Sequence, residues 1–274
     1  MKKRSIGLHI RLKKGMQEGI EKASELGMDL YQSFLIDEVG NYFELSAEDI
    51  ENYIKYADEK GIKAVIHSAY WSGITRLKSR GFHSLKQEAE VVAKLQQHYL
   101  VVHSGSTKGM SEDPIKRAKA IAEVVDEFIK EFPTVQLLIE NSPHGGSSYG
   151  GNLQDFKLLL EHVEHKDKVG FCIDTAHAHA YGYDIVNEFD EFMEELDQTV
   201  GFSRVKILHL NDTLEKRKSK IDKHGLLGEG LIGIECLKKF VQFKKLEHAG
   251  VILELPKVTE EQSIEALRIV NQWV

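Results

Sequence analysis

A closed (β/α)8 TIM barrel is the fold this sequence predicts, and three observations predict it. Short runs rich in β-branched and apolar residues alternate with amphipathic helical stretches along the whole chain. No linker-like, low-complexity or Pro-rich segment breaks that alternation, so the 274 residues are expected to form a single domain. Each β run after the second closes on a histidine or an acid, as expected where strand ends converge on one pocket. A doubly wound open sheet is the structural rival; the absence of G-x-G-x-x-G after the first strand counts against it.

In chain order, the strands are predicted at 5–9 (SIGLH), 28–35 (MDLYQSFL), 63–67 (KAVIH), 99–103 (YLVVH), 135–140 (VQLLIE), 169–174 (VGFCID), 204–209 (RVKILH) and 250–254 (GVILE). A helical pattern follows each of them. The named helices are 48–60, 85–97, 114–132, 153–162, 188–200, 234–246 and 260–273. Pro114 suits a first helical turn, with Asp113 or Ser111 as its cap.

Composition narrows the class. The basic N-terminal stretch MKKRSIGLHIRLKKG has too few apolar residues for a signal peptide, and no apolar run approaches membrane-spanning length. A soluble, cytoplasmic protein without membrane contact is the expectation. Cys172 and Cys236, in a strand and a helix, fit reduced thiols better than a disulfide framework. A formal charge of −7 argues against nucleic-acid binding through overall basicity, although three divalent ions would offset nearly all of it. Thirteen histidines are the unusual feature.

The strand ends explain many of them. Strands three to eight end in His67, His103, Glu140, Asp174, His209 and Glu254, and the first ends in His9. Any one histidine is more simply a satisfied core or surface residue. Six successive metal-competent ends in a barrel instead describe one metal pocket. In GFCIDTAHAHAYG, Asp174 closes a buried strand and His177 follows three residues later in a loop or first helical turn, so both can face that pocket. After strand seven, HLNDTLEKRKSKIDKHGLLGEGLIG carries Asp222 and His224, which share a face of an extended segment. Lys216, Arg217, Lys218, Lys220 and Lys223 in that loop form either a solvated charged surface or a phosphate-contacting edge.

The segments VIHSAY, LVVHSG, LLIENSPHGG, GFCIDTAHAHAYGYD, LHLND, IDKHGLLGEGLIG and ILELP resemble, nearly end to end, the endonuclease IV family of apurinic/apyrimidinic endonucleases, TIM barrels with a trinuclear zinc centre. The resemblance implies that His67, His103 and Glu140 hold a first Zn2+. Glu140 would bridge to a second, completed by Asp174, His209 and Glu254, and His177, Asp222 and His224 would hold a third. Mixed imidazole and carboxylate ligands would also accept Mn2+ in one or more sites. The implied reaction is hydrolysis of the phosphodiester 5′ to an abasic site in double-stranded DNA, leaving a 3′-hydroxyl and a 5′-deoxyribose phosphate. The resemblance implies that water activated by the first two ions would attack in line and that the third would stabilise the leaving oxygen. Glu140, Asp174 and Glu254 would then be catalytic. The family resemblance also implies that Tyr70 enters the DNA, and Trp71 is flat and large enough to wedge beside it. Packing on the barrel rim is an equal reading for Trp71, and solvation an equal one for Arg76, Lys78 and Arg80 as phosphate contacts. His9 is a DNA contact, a neighbour of the ligands or core, while His144 and His179 are left out of the ligand set. The protein is expected to be a monomer.

Two departures stand out. His103 is followed by Ser104 and Gly105 rather than Pro-Gly, and the loop after strand two, YQSFLIDEVGNYFELS, lacks the Arg and Trp that engage DNA in the family. A divalent-metal sugar isomerase or epimerase of the same barrel class would account for Glu140, Asp174, His209 and Glu254, but gives no purpose to His67, His103, His177, Asp222 and His224. A non-catalytic, damage-binding protein that keeps zinc for stability is the second rival.

Overall fold

A computed structural model describes residues 4–274; the first three residues of the basic N-terminal stretch lie outside it. The strands are β1 (Ile6–Leu8), β2 (Leu30–Ser33), β3 (Lys63–His67), β4 (Tyr99–His103), β5 (Gln136–Glu140), β6 (Gly170–Asp174), β7 (Val205–His209) and β8 (Gly250–Leu253). Between and after them run α1 (Gln17–Glu25), α2 (Ala47–Lys60), α3 (Arg80–Lys94), α4 (Pro114–Glu131), α5 (Leu153–His162), α6 (Thr175–Tyr181), α7 (Phe189–Thr199), α8 (Gly233–Gln242) and α9 (Glu260–Asn271). All strand pairs are parallel, in the order β1-β8-β7-β6-β5-β4-β3-β2. The His9–Gln32 bridge and a 2.7 Å bond from the Ile10 amide to the Gln32 carbonyl close the remaining seam. This is the TIM barrel.

Glycine makes that seam possible. A Cβ at Gly7 would stand 2.0 Å from the Leu30 carbonyl oxygen, so any side chain there would pry β1 from β2.

Several elements differ from the bounds expected from the sequence: β2 is confined to Leu30–Ser33, α3 starts at Arg80 and ends at Lys94, and α8 ends at Gln242. Residues 17–25 form α1, the helix expected after the first strand but given no bounds there, without a side-chain cap and with a glycine inside. Gly19 is needed because a Cβ there would lie 2.4 Å from the Tyr31 ring. The turn after Asp174 is a full short helix, α6, whose His177 amide donates to Asp174 Oδ1 at 2.7 Å. Asp113 is the cap of α4, with Pro114 in its first turn.

The core has two shells. The larger packs helices on the outside of the barrel, with Phe82, Phe128, Phe156 and Phe240 fully enclosed. Inside the barrel, Leu30, Val65, Val101, Leu138, Cys172, Ile207 and Ile252 form a single apolar layer.

Candidate metal centre

Strand geometry places the site directly on that inner layer. Side chains two residues apart on a strand share a face, so the residues two positions beyond the layer also point inward. They are Gln32, His67, His103, Glu140, Asp174, His209 and Glu254. His9 stands in the same relation to Gly7. The apolar layer thus seals the floor of the pocket and the next layer is polar.

Two further segments close over it. α6 delivers His177, and the loop 210–232 delivers Asp222 and His224. That loop is held by Asp212, whose buried carboxylate accepts the amides of Thr213, Gly228, Gly230, Ile232 and Gly233 at 2.8–3.4 Å. It is also latched to α6 by Lys218 N–H to His179 O and Lys220 N–H to Ala180 O. Both lysines take left-handed backbone angles, φ 68° and 62°, which L-residues rarely adopt.

The donor atoms gather in overlapping clusters, His67–His103–Glu140, Glu140–Asp174–His209–Glu254 and Asp174–His177–His224, with Asp222 beside the last. His67 Nε2 and His103 Nε2 lie 3.1 and 3.4 Å from Glu140 Oε2. On the other side of the same carboxylate, His209 Nδ1 lies 2.9 Å from Glu140 Oε1, 3.3 Å from Glu254 Oε2 and 3.8 Å from Asp174 Oδ2. His177 Nε2 and His224 Nε2 lie 3.1 and 3.7 Å from Asp222 Oδ1. Asp174 Oδ2 is 4.0 and 3.5 Å from those same two nitrogens, so Asp174 stands between the second and third groups. Glu140 stands likewise between the first and second.

The ring nitrogens show that this cluster suits cations. His67 Nδ1 donates to Ser68 O at 2.8 Å, His177 Nδ1 to Asn141 O at 2.9 Å, His224 Nδ1 to Glu254 O at 3.1 Å, and His209 Nε2 to Gln32 Oε1 at 2.8 Å. Each ring therefore aims its remaining nitrogen, a lone pair when neutral, at carboxylate oxygens. Acceptor facing acceptor is repulsive unless a proton or a cation lies between them, and a backbone or amide acceptor behind the ring is the usual companion of a metal-bound histidine. His177 Nε2 is buried and makes no hydrogen bond among the described residues. Without a cation the pocket gathers protons instead. Burial would lower His177, yet Asp174, Asp222 and Glu140 push its imidazole up to about 10. Burial lowers His103 to about 4, and Asp222, despite burial, is held at about 2 by His177. Cys172 lies within reach of Glu140 and His209, but burial pushes its thiol up to about 12, which keeps it protonated beneath the site.

Three residues that orient this cluster escaped the sequence reading. Gln32 accepts from His209 and donates to Glu254 Oε1 at 2.6 Å and to His9 Nδ1 at 2.9 Å. Asn211 donates to Asp174 Oδ2 at 2.6 Å and accepts the Glu254 amide at 2.9 Å. Asn141 clamps the Asp174 backbone at 2.6 and 3.0 Å. The strand-end rule misses Gln32 because it is the penultimate residue of β2, which ends at Ser33, and the strand expected from the sequence ran on to residue 35. Gln32→Leu keeps the volume and removes all three links. It is expected to weaken metal affinity by roughly 10–100-fold, measured by competition with a chromophoric chelator.

His9 lies 3.4 Å from Glu254 Oε1, at the wall of the pocket. Its edge meets Phe34, which also contacts His67 and Tyr70. The cavity above the donor groups is about 460 Å3, lined by Arg11, Phe34, Tyr70, Lys223 and Lys257 among others. Tyr70 is 72% exposed; Trp71 is half-exposed and donates from Nε1 to Ser84 Oγ at 2.9 Å. Arg76, Lys78 and Arg80 are exposed, with the Arg76 guanidinium on the Lys108 carbonyl. His144 bonds the Lys220 carbonyl, and His179 is buried but belongs to none of the donor groups.

Fold and site together define a metal-competent barrel of the xylose isomerase-like TIM barrel class, whose family model matches residues 20–273. The chain is 32% identical over 257 residues to a probable endonuclease 4 of Thermoplasma volcanium, covering 92% of this chain and 89% of the relative. It is 30% identical over 261 residues to the probable endonuclease 4 of Chloroflexus aggregans, covering 92% and 91%. The crystal structure of endonuclease IV from Thermus thermophilus superposes with a TM-score of 0.83 at 28% identity, covering 98% of each chain. The chain belongs to the endonuclease IV family. No helix among the described residues is long and apolar enough to cross a membrane.

Proposed function

We propose that this protein is a metal-dependent apurinic/apyrimidinic endonuclease of base excision repair. It acts as an intracellular monomer on double-stranded DNA and cuts the phosphodiester 5′ to an abasic site, leaving a 3′-hydroxyl and a 5′-deoxyribose phosphate. The observation that carries this reading is the third donor group, His177, Asp222 and His224, beside the pair His67 and His103. A sugar isomerase of the same class needs only Glu140, Asp174, His209 and Glu254.

Three Zn2+ ions, with Mn2+ an acceptable substitute, would supply Lewis acidity, a nucleophile at neutral pH and charge for the substrate phosphate. His67, His103 and Glu140 would hold the first, Glu140, Asp174, His209 and Glu254 the second, and His177, Asp222 and His224 the third. Glu140 sets the spacing of the first two sites through its two oxygens, and Asp174 faces both the second and the third. Gln32 and Asn211 hold Glu254 from opposite sides, so its carboxylate keeps one orientation through the reaction. Arg11, Lys223 and Lys257 at the cavity mouth suit a phosphate, while His9 and the Phe34–Tyr70 pair offer a wall to an extruded sugar. Tyr70, exposed at the rim, is placed to enter the gap in the stack, with Trp71 beside it.

The test is incubation with a duplex carrying one abasic-site analogue, with and without chelator, alongside metal analysis. Incision that chelator abolishes, with about three ions per chain, is expected. An intact duplex beside turnover of a sugar, with one or two ions, would establish the isomerase instead.

A further inference from the structure

A second polar network lies under the rim, and the metal centre makes no use of it. α3 buries Ser84 and Glu88, one turn apart, beneath the loops that follow β2 and β3. Glu88 is 1% exposed, yet it pairs with no cation among the described residues. Its carboxylate collects donors from both loops. The Ala69 amide reaches Oε1 at 2.8 Å, the Ser72 hydroxyl Oε2 at 2.8 Å and the Tyr42 hydroxyl Oε1 at 3.3 Å. Ser84 Oγ accepts Trp71 Nε1–H at 2.9 Å and lies 2.7 Å from the Tyr42 hydroxyl. Trp71, Ser84, Tyr42 and Glu88 therefore form one hydrogen-bonded chain from the indole to the carboxylate.

A buried acid is costly unless its oxygens are satisfied, and burial does push the Glu88 carboxyl above the usual carboxylate range. The neighbouring buried positions of α3 are Leu85, Ala89 and Val92, so an apolar side chain at 88 would continue the helix's core face without that cost. What the acid adds is the connection between loops. Tyr42 belongs to the loop after β2; Ala69, Trp71 and Ser72 belong to the loop after β3. Tyr70 sits between two tied residues, so its ring stays over Phe34 at 5.3 Å. Trp71 meets the Tyr42 ring edge-on at 6.2 Å.

We propose that Glu88 is a positioning residue for substrate docking: it ties the loops after β2 and β3 to each other and so sets where Tyr70 and Trp71 stand on the rim. The part concerning substrate rests on the nuclease reading; the part concerning the loops does not. Trp71 and Trp273 are the two tryptophans of the chain, so a Trp273→Phe background makes Trp71 the sole indole. Glu88→Leu, Glu88→Gln and Ser84→Ala in that background, metal-loaded, are compared by acrylamide quenching without substrate and by kcat and KM on the abasic duplex.

Glu88→Leu is expected to raise Trp71 quenching and to raise KM about tenfold, the scale of one lost buried hydrogen-bond set, with kcat and metal content unchanged. Glu88→Gln keeps an acceptor for the Ala69 amide and should recover part of both. Ser84→Ala, which removes the Trp71 and Tyr42 contacts of Ser84 but leaves the Ala69 and Ser72 bonds to Glu88, should raise quenching and carries the test if Glu88→Leu fails to fold. Unchanged quenching in both Glu88→Leu and Ser84→Ala would overturn the proposal. So would a fall in kcat or in bound metal at unchanged KM, which would make Glu88 a support of the metal centre. If the parent protein leaves the abasic duplex intact, the nuclease reading fails while the quenching arm still decides the role of Glu88 in the loops.

Discussion

Glu140→Gln is expected to abolish incision, lowering the single-turnover rate by more than the roughly 10–100-fold that loss of a supporting group alone costs. Its two carboxylate oxygens face different donor groups, His67 and His103 through Oε2 and His209 through Oε1. An amide keeps the shape but offers one acceptor oxygen and puts N–H donors where the other ligand atom belongs. Asp174→Asn should be similarly damaging, because Oδ2 faces His209 and His224 while Oδ1 holds the start of α6. Trp71→Ala, on the rim, should mainly weaken binding of the duplex. Single-turnover cleavage and a gel-shift titration separate the two kinds of defect; equal loss of binding with intact turnover in all three variants would refute the roles.

Chelation is the second large effect. Without bound ions, Glu140, Asp174, Asp222 and Glu254 would face one another across a pocket whose histidines take up protons in their place. A ligand present at a thousand times its dissociation constant stabilises the fold by about 4 kcal/mol, and about 1 kcal/mol moves the Tm of a domain near this size by roughly 2–4 °C. Loss of even one such ion is expected to lower Tm by roughly 8–16 °C in a calorimetric scan. Recovery on adding back Zn2+ separates metal loss from irreversible damage. A melting curve indifferent to chelator would remove the metal centre from the account of this fold.

The strand ends show how much was legible in the sequence. His67, His103, Glu140, Asp174 and His209 each close a run of apolar residues, and pleating leaves little choice about which face they share. Glu254 lies one residue past β8 and keeps the same face. Gln32 was hidden because it is penultimate in β2, which pairs with β3 as far as Ser33, so the end of the run does not single it out. The bounds of α1 were left open for the opposite reason, since its packing against Tyr31 requires a glycine that local propensity counts against a helix.

By itself, then, the sequence determined the barrel, the layer of metal-competent side chains and the family resemblance. Each depends on periodicity along the chain or on residue identity at fixed spacing. Only the tertiary structure decided which nitrogen of each histidine faces the pocket, that Asp174 stands within reach of His177 and His224 as well as His209, and that Glu88 ties two rim loops together. Those facts rest on contacts between residues far apart in the chain. They are set by strand register, by the docking of the loop 210–232 on α6, and by which backbone acceptor each buried ring finds.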